Sequence, residues 1–223
     1  MSKAKTNAAR LAYCETQLEN LAGIGVKSQA EAMGLALDET GTKAKVRFLG
    51  SDCLIGNDGV TDVARRNVTV DATSVLAHYL ASKGRGEPSS EFVPIGRLTG
   101  IASGASAGTS PSDQLFKPLG DKFGSDYGAF SKAALALGAR HAGLSQAGAQ
   151  SFVFGDLPKL PVRADFFEAD EEFDAEIKIL FPSNATAFVM YEVLELYIMC
   201  LTVALLMAAG LINDPEDCQA SFI

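Results

Sequence analysis

The sequence predicts an α+β fold: an antiparallel sheet built from hairpins, packed by helices that include a very apolar one near the C-terminus. Three observations carry this. Ala44, Val46 and Phe48 alternate with Lys43, Lys45 and Arg47, the period-two pattern of a half-buried strand. The last third of the chain pairs two apolar-patterned stretches around an acidic turn. Strand-like stretches also cluster in hairpins and do not alternate strictly with helices, as a parallel doubly wound sheet would require. With 223 residues, 48% hydrophobic and 21% charged, the chain suffices for one domain with its own core, residues 1–223.

The elements follow in order. Residues 1–40 form a helical N-terminal segment. Leu11, Cys14 and Leu18 recur at helical spacing within a helix over 4–21, and a second helix runs near 28–35, weakened by Gly34. Thr40-Gly41-Thr42 turns the chain into the strand at 44–48. Gly50 to Asp52 turns it again, residues 53–55 return, and Asn57-Asp58-Gly59 makes a further turn. Residues 67–70 read as a short strand. Asp71 or Thr73 then caps a helix running to Lys83, with Val75, Leu76, Tyr79 and Leu80 inward and Gly84 as its stop. Pro94 makes the segment 92–95 an edge strand or a loop.

Residues 100–112, rich in Gly, Ser and Ala, read as a mobile loop. Ser110-Pro111-Ser112-Asp113 opens a helix that Pro118 keeps short. Another helix spans 126–137 and ends at Gly138. His141 reads as a loop residue. Strands are expected at 151–154, 162–167 and 176–181, the last two joined by the acidic turn 168–175. Leu196 to Ile212 holds no charge, but it is short for a membrane span and no Lys or Arg flanks it. It reads as a core helix or as a helix buried between two copies of the chain.

The formal net charge of −8 opposes binding to nucleic acid and to anionic membrane surfaces, so neither is an expected partner. Cys14, Cys53, Cys200 and Cys218 include no C-x-x-C pair, so no close-spaced metal or iron–sulfur site is expected and no metal ligand is assigned. They read as reduced thiols of a cytoplasmic protein, and residues 1–20 lack an apolar leader segment. No cofactor follows from the residues.

Few groups here carry chemistry. The loop 104–110 precedes a capped helix and so suggests a phosphate cradle. It lacks the Lys that follows the second Gly in phosphate-gripping loops, Thr109 standing there instead, and a connector is the plainer reading. Glu168, Asp170, Glu171, Glu172, Asp174 and Glu176 fall within nine residues. Their register is not that of a calcium loop, and a solvated hairpin tip competes with a ligand site. No G-x-S-x-G elbow is present. His78 and His141 are the only histidines, and His78, beside Tyr79 on a helix, is the stronger candidate for acid–base work.

The run from Leu157 to Ala185, L-P-K-L-P-V-R-A-D-F-F-E-A-D-E-E-F-D-A-E-I-K-I-L-F-P-S-N-A, resembles the signature of a prokaryotic family, domain of unknown function 3786. The shared features are Pro158 and Pro161, Phe167, the turn Asp170 to Phe173, the strand Ile179 to Phe181, and Ser183 with Ala185. Upstream, Leu76-Ala77-His78-Tyr79-Leu80 resembles the family's L-x-H-Y-L helix. The stretch from Gly86 to Gly100 is similar to a further segment but departs from it. Phe92 stands where a Trp is usual, Ile95 where a Phe is usual, and Arg97 where an acid is usual. The resemblance implies anaerobic bacterial or archaeal surroundings and, through relatives fused to iron–sulfur segments, redox or one-carbon metabolism. It carries no activity with it, and it directs attention to a site where the His78 helix faces the acidic hairpin.

Three functions remain open, in this order. The first is a small-molecule ligand-binding or accessory module linked to anaerobic redox or one-carbon metabolism. Its candidate ligand-binding residues are His78, Tyr79, Phe92, Phe167, Glu168, Asp170 and Glu171, and Phe166 joins Tyr79, Phe92 and Phe167 in lining an apolar pocket. The second is an enzyme using His78 with Glu168, Asp170 and Glu171, possible metal ligands among them. The third is a structural protein forming a homo-oligomer through the helix at 196–212.

Overall fold

The computed structural model describes residues 3–63, 69–82, 86–98 and 116–214, with side chains from residue 11 onward. The glycine-rich loop 100–112, the Ser110 cap, Lys83, Gly84 and Cys218 lie outside the described residues. Contacts within the chain gather into two compact units. The first comprises Met1–Glu87, Leu157–Lys159 and Thr186–Tyr197, and the second Pro88–Asp156, Leu160–Ala185 and Ile198–Ile223.

The first unit opens with α1 (Lys3–Ile24) and α2 (Val26–Met33). Gly34 ends α2 in the left-handed conformation, which glycine adopts without a Cβ clash, and its N–H returns to the last turn. A four-stranded antiparallel sheet follows, in the order β1 (Ala36–Leu37), β2 (Ala44–Phe48), β3 (Ser51–Gly56), β4 (Gly59–Asp62). Strand β2 buries Ala44, Val46 and Phe48 and exposes Lys45 and Arg47, as its alternation predicts. Strands β1 and β4 went unread because they are short and weakly patterned.

Leu49 and Gly50 both take positive φ, 48° and 79°, between β2 and β3. A two-residue hairpin turn needs this to match the strand twist. It also begins β3 at Ser51, earlier than the sequence suggests. Helix α3 (Val70–Ala81) is capped by Thr69, whose hydroxyl accepts from the Ala72 N–H at 3.2 Å. Val70 is thus the first helical residue, and the strand read at 67–70 does not reach it. Asp71 and Thr73 lie inside the first turn. Val75, Leu76, Tyr79 and Leu80 are fully buried, the face expected of them. Helix α3 packs against α1, α2, β3 and β4.

The second unit holds a five-stranded antiparallel sheet in the order β5-β9-β8-β7-β6. Its strands are β5 (Phe92–Pro94), β6 (Arg140–Leu144), β7 (Gln150–Phe154), β8 (Val162–Phe167) and β9 (Glu176–Pro182). Pro94 lies on the edge strand β5, where a missing N–H costs no ladder bond. His141 sits on the opposite edge strand and not in a loop; its Nε2 lies 3.0 Å from Gln150 Oε1. Pro118 opens α4 (Lys117–Phe123) instead of ending it, because its absent N–H falls among those a first turn leaves free. Asp126 caps α5 (Tyr127–Ala136) through the Ala129 N–H at 2.8 Å.

The core of this unit is aromatic. The fully buried Phe130 ring of α5 meets Phe123, Phe152 and Phe166 with centroids 5.4, 5.5 and 5.3 Å away. Helix α6 (Tyr191–Ala208) contributes its start to the first unit and its remainder to the second. Two i, i+4 rows of it are completely buried: Val193, Tyr197, Leu201 and Leu205, and Leu194, Ile198, Thr202 and Leu206. By length and composition it is apolar enough to cross a membrane, and 44% of it is buried within the protein.

Two stability outcomes follow. Phe130→Ala empties the centre of the aromatic cluster and should cost roughly 3–5 kcal/mol in urea unfolding. Leu135→Ala on the exposed face of the same helix should stay within about 0.5 kcal/mol. Leu49→Asn places a residue that tolerates positive φ in the β2–β3 turn and should raise stability by about 1 kcal/mol in the same assay.

Candidate functional site

Strand β8 sorts the second unit's candidates. Successive side chains point to opposite faces of a sheet. Val162, Ala164 and Phe166 therefore face the aromatic core, while Arg163, Asp165 and Phe167 share the other face. Phe166 and Phe167 cannot line one pocket, contrary to the sequence expectation.

The second face carries a polar network. Ser151 Oγ donates to Asp165 Oδ1 at 2.7 Å, and Arg163 Nη2 donates to Asp165 Oδ2 at 3.0 Å. The Arg163 guanidinium lies 5.2 Å from the centre of the Phe92 ring, and Lys178 Nζ lies 4.8 Å from that of Phe167. Both aromatic candidates are thus already occupied as platforms for cations of the protein itself.

At the hairpin tip, Glu168, Asp170 and Glu171 are exposed. Asp170 Oδ1 accepts from the Glu172 and Phe173 N–H groups, each at 2.8 Å. These two bonds hold its carboxyl below the usual carboxylate range. Asp170 therefore shapes the turn. Among the described residues, no group of three or more His, Cys, Asp or Glu side chains is placed to hold a metal ion.

His78 and Tyr79 belong to the first unit. Tyr79 is fully buried, and its hydroxyl accepts from the Lys159 N–H at 3.0 Å. Burial pushes that phenol up to about 12, against the smaller opposing effect of this bond. It is a neutral anchor for the segment 157–159, which Lys159 ties down again through an ion pair to Glu87.

His78 is different. It is half-buried, and its Nδ1 is shut away from solvent with no partner that meets hydrogen-bond geometry. Burial moves its imidazole below the ordinary 6.5, partly offset by its own backbone and by the negative charge of Glu192. Tyr13, on the helix packed against α3, likewise buries a hydroxyl without a partner. Burial raises the Tyr13 phenol, and the charge of Glu192 raises it further. The carboxyl of Glu195 is raised, first by burial and then by Glu192.

The first unit therefore gathers Tyr13, His78, Glu192 and Glu195, and Glu192 acts electrostatically on the other three. Two polar atoms without partners, in the unit that also holds the raised carboxyl of Glu195, mark a functional site better than any other feature of this unit. A cleft of about 500 Å³ lies elsewhere, between Val26, Lys27 and Ser28 at the start of α2 and the turns at Gly41, Thr42 and Asn57. None of the buried unpartnered atoms lines it.

Sequence reasoning singled out His78 together with Glu168, Asp170 and Glu171. Glu168, Asp170 and Glu171 belong to the second unit, and the acid whose charge acts on His78 is Glu192. Tyr13 and the pair Glu192 and Glu195 were missed. The available signal was two acids three residues apart on one face at the start of an otherwise uncharged helix.

The pH dependence carries a definite sign. Below about 6.5 the unfolded chain binds a proton at His78 that the folded state resists, so stability falls as pH drops through that range. Glu195 works in the opposite direction: its folded form holds a proton more tightly, so stability falls as pH rises above about 4.5 through its raised value. Urea unfolding at pH 7.5 and 5.5 should show His78→Gln losing less stability on acidification than the wild type. An identical loss in both would show that His78 is not buried in its neutral form.

No curated protein and no solved structure matches the chain. A family model described as Domain of unknown function (DUF3786) matches residues 26–203. This span is well over half of the sequence. It includes His78, Glu192, Glu195 and the acidic hairpin, and leaves Tyr13 outside. The chain therefore belongs to the family of domain of unknown function 3786.

Proposed function

We propose that this protein is a small-molecule-binding or accessory module, working in the cytoplasm beside anaerobic redox or one-carbon metabolism. One observation carries the binding role: Tyr13 Oη and His78 Nδ1 are buried without partners in the same unit and under the charge of one exposed acid, Glu192. A buried polar atom without a partner costs about 1–3 kcal/mol. A ligand that supplies the missing hydrogen bonds recovers that cost. The setting rests on the family resemblance. Cys14 is a buried free thiol, which suits a reducing compartment. Helix α6, with two full rows of buried residues, suits the interior of the protein better than a bilayer.

The test is a screen by NMR, following the His78 and Tyr13 ring resonances while pools of amines, carboxylic acids, sugar phosphates and nucleotides are added. At least one pool should move both sets of resonances and raise the unfolding midpoint, and the doubly substituted Tyr13→Phe, His78→Gln protein should lose that response. Silence from every pool, or equal binding by the double variant, would overturn the reading. The same spectra report whether a bound compound is chemically converted, which separates an enzyme acting through His78 from a binding module.

A further inference from the structure

We infer that the cleft beside α2 is a second small-molecule site, and that its ligand is a zwitterion of the α-amino-acid class. This site is separate from Tyr13 and His78, neither of which lines it. The cleft holds about 500 Å³, within the range of small-molecule sites. One wall is the start of α2, with Val26, Lys27, Ser28 and Glu31, and the other is formed by the turns at Thr42 and Asn57. All of these residues lie in the first unit.

The wall opposite α2 is held by bonds of the protein itself. Asp38 Oδ1 accepts from the Thr42 and Lys43 N–H groups, each at 3.0 Å, and Asp38 Oδ2 accepts from the Thr40 hydroxyl at 2.7 Å. Lys43 Nζ meets Asp58 Oδ2 at 2.8 Å, which ties the first turn to the second. A wall fixed in this way exists before a ligand arrives, so binding carries little ordering cost there.

The α2 wall supplies the charges. Lys27 and Glu31 stand four residues apart, which sets their Cβ atoms about 5–6 Å apart on one side of the helix. Both line the cleft, and they form no ion pair with one another. The cleft thus offers a cation and an anion one turn apart. A ligand with a single charge would satisfy one of them and be repelled by the other. A carboxylate and an ammonium on one carbon satisfy both, the carboxylate turned toward Lys27 and the Ser28 hydroxyl, the ammonium toward Glu31. Thr42 and Asn57 can donate or accept across the cleft. Val26, buried beneath it, gives a short aliphatic side chain an apolar surface to cover.

Norvaline, pentanoate and butylammonium test this, because each of the last two deletes one charge of the first. Each is titrated into the full chain by calorimetry and followed by NMR at the amide signals of Ser28 and Asn57 and at the His78 ring. Norvaline should bind and move Ser28 and Asn57 but not His78, and the two singly charged probes should bind roughly fivefold more weakly or less, the scale of one ion pair at a solvent-facing site. Lys27→Gln should weaken norvaline and pentanoate and spare butylammonium; Glu31→Gln should weaken norvaline and butylammonium and spare pentanoate. Both residues are exposed, so neither change disturbs the core, and an unchanged unfolding midpoint verifies it. Pentanoate or butylammonium binding as tightly as norvaline, unchanged norvaline affinity in both variants, or no shift at Ser28 and Asn57 would overturn the inference. Shifts confined to His78 would also overturn it, while leaving the reading of Tyr13 and His78 in place.

Discussion

The second unit depends on strand β8, paired over residues 162–166 with β7 on one side and over 163–167 with β9 on the other. Alternation along this strand leaves no freedom in where its side chains go, since a slip of one residue would exchange the two faces. Phe166 must enter the aromatic cluster with Phe130 and Phe152. Arg163 and Asp165 must then lie on the opposite face, where Asp165 is nearly inaccessible and takes bonds from Ser151 and Arg163. Arg163 in turn covers Phe92, and Lys178 covers Phe167. One strand therefore decides both the hydrophobic core and the engagement of the aromatic residues that looked, in the sequence, free to hold a ligand.

The first unit solves a different problem. Helices α1 and α3 pack together through apolar rows, with Leu21, Val75, Leu76 and Leu80 buried. Along that packing Tyr79 buries a hydroxyl with a backbone partner, whereas Tyr13 and His78 bury polar atoms without one. The contrast is informative. The fold satisfies a buried phenol where it needs an anchor, and the two unsatisfied groups fall where Glu192 brings negative charge. Packing alone gives no reason to keep these polar atoms there, since apolar side chains of similar size would avoid the desolvation cost.

Much of the architecture was legible because its signals are local. Alternation placed β2 at its observed bounds, the strand expected at 162–167 is β8, and periodicity gave the inner face of α3. Asp126 and Gly138 marked helix ends for conformational and hydrogen-bonding reasons that act within a few residues, whereas Gly34, read as a weak point inside a helix, ends α2. Errors came where a local signal has two meanings. Pro118 can end a helix or begin one. His141 lies next to glycines, yet pairing with β7 makes it part of a strand. The family kinship was also legible, because the acidic hairpin and the His78 helix are contiguous stretches.

The site was legible only in part. By itself the sequence determined an α+β fold, most element positions, the family, and His78 as a residue of interest, since each rests on residues close together in the chain. Tertiary structure decided which groups share a dielectric environment and a charge. It brought Tyr13 and Glu192 to the unit of His78, assigned the hairpin acids to the other unit, and turned Tyr79 into an anchor. Burial and electrostatic neighbourhood depend on distances through space between residues far apart in sequence, and no spacing along the chain encodes those distances.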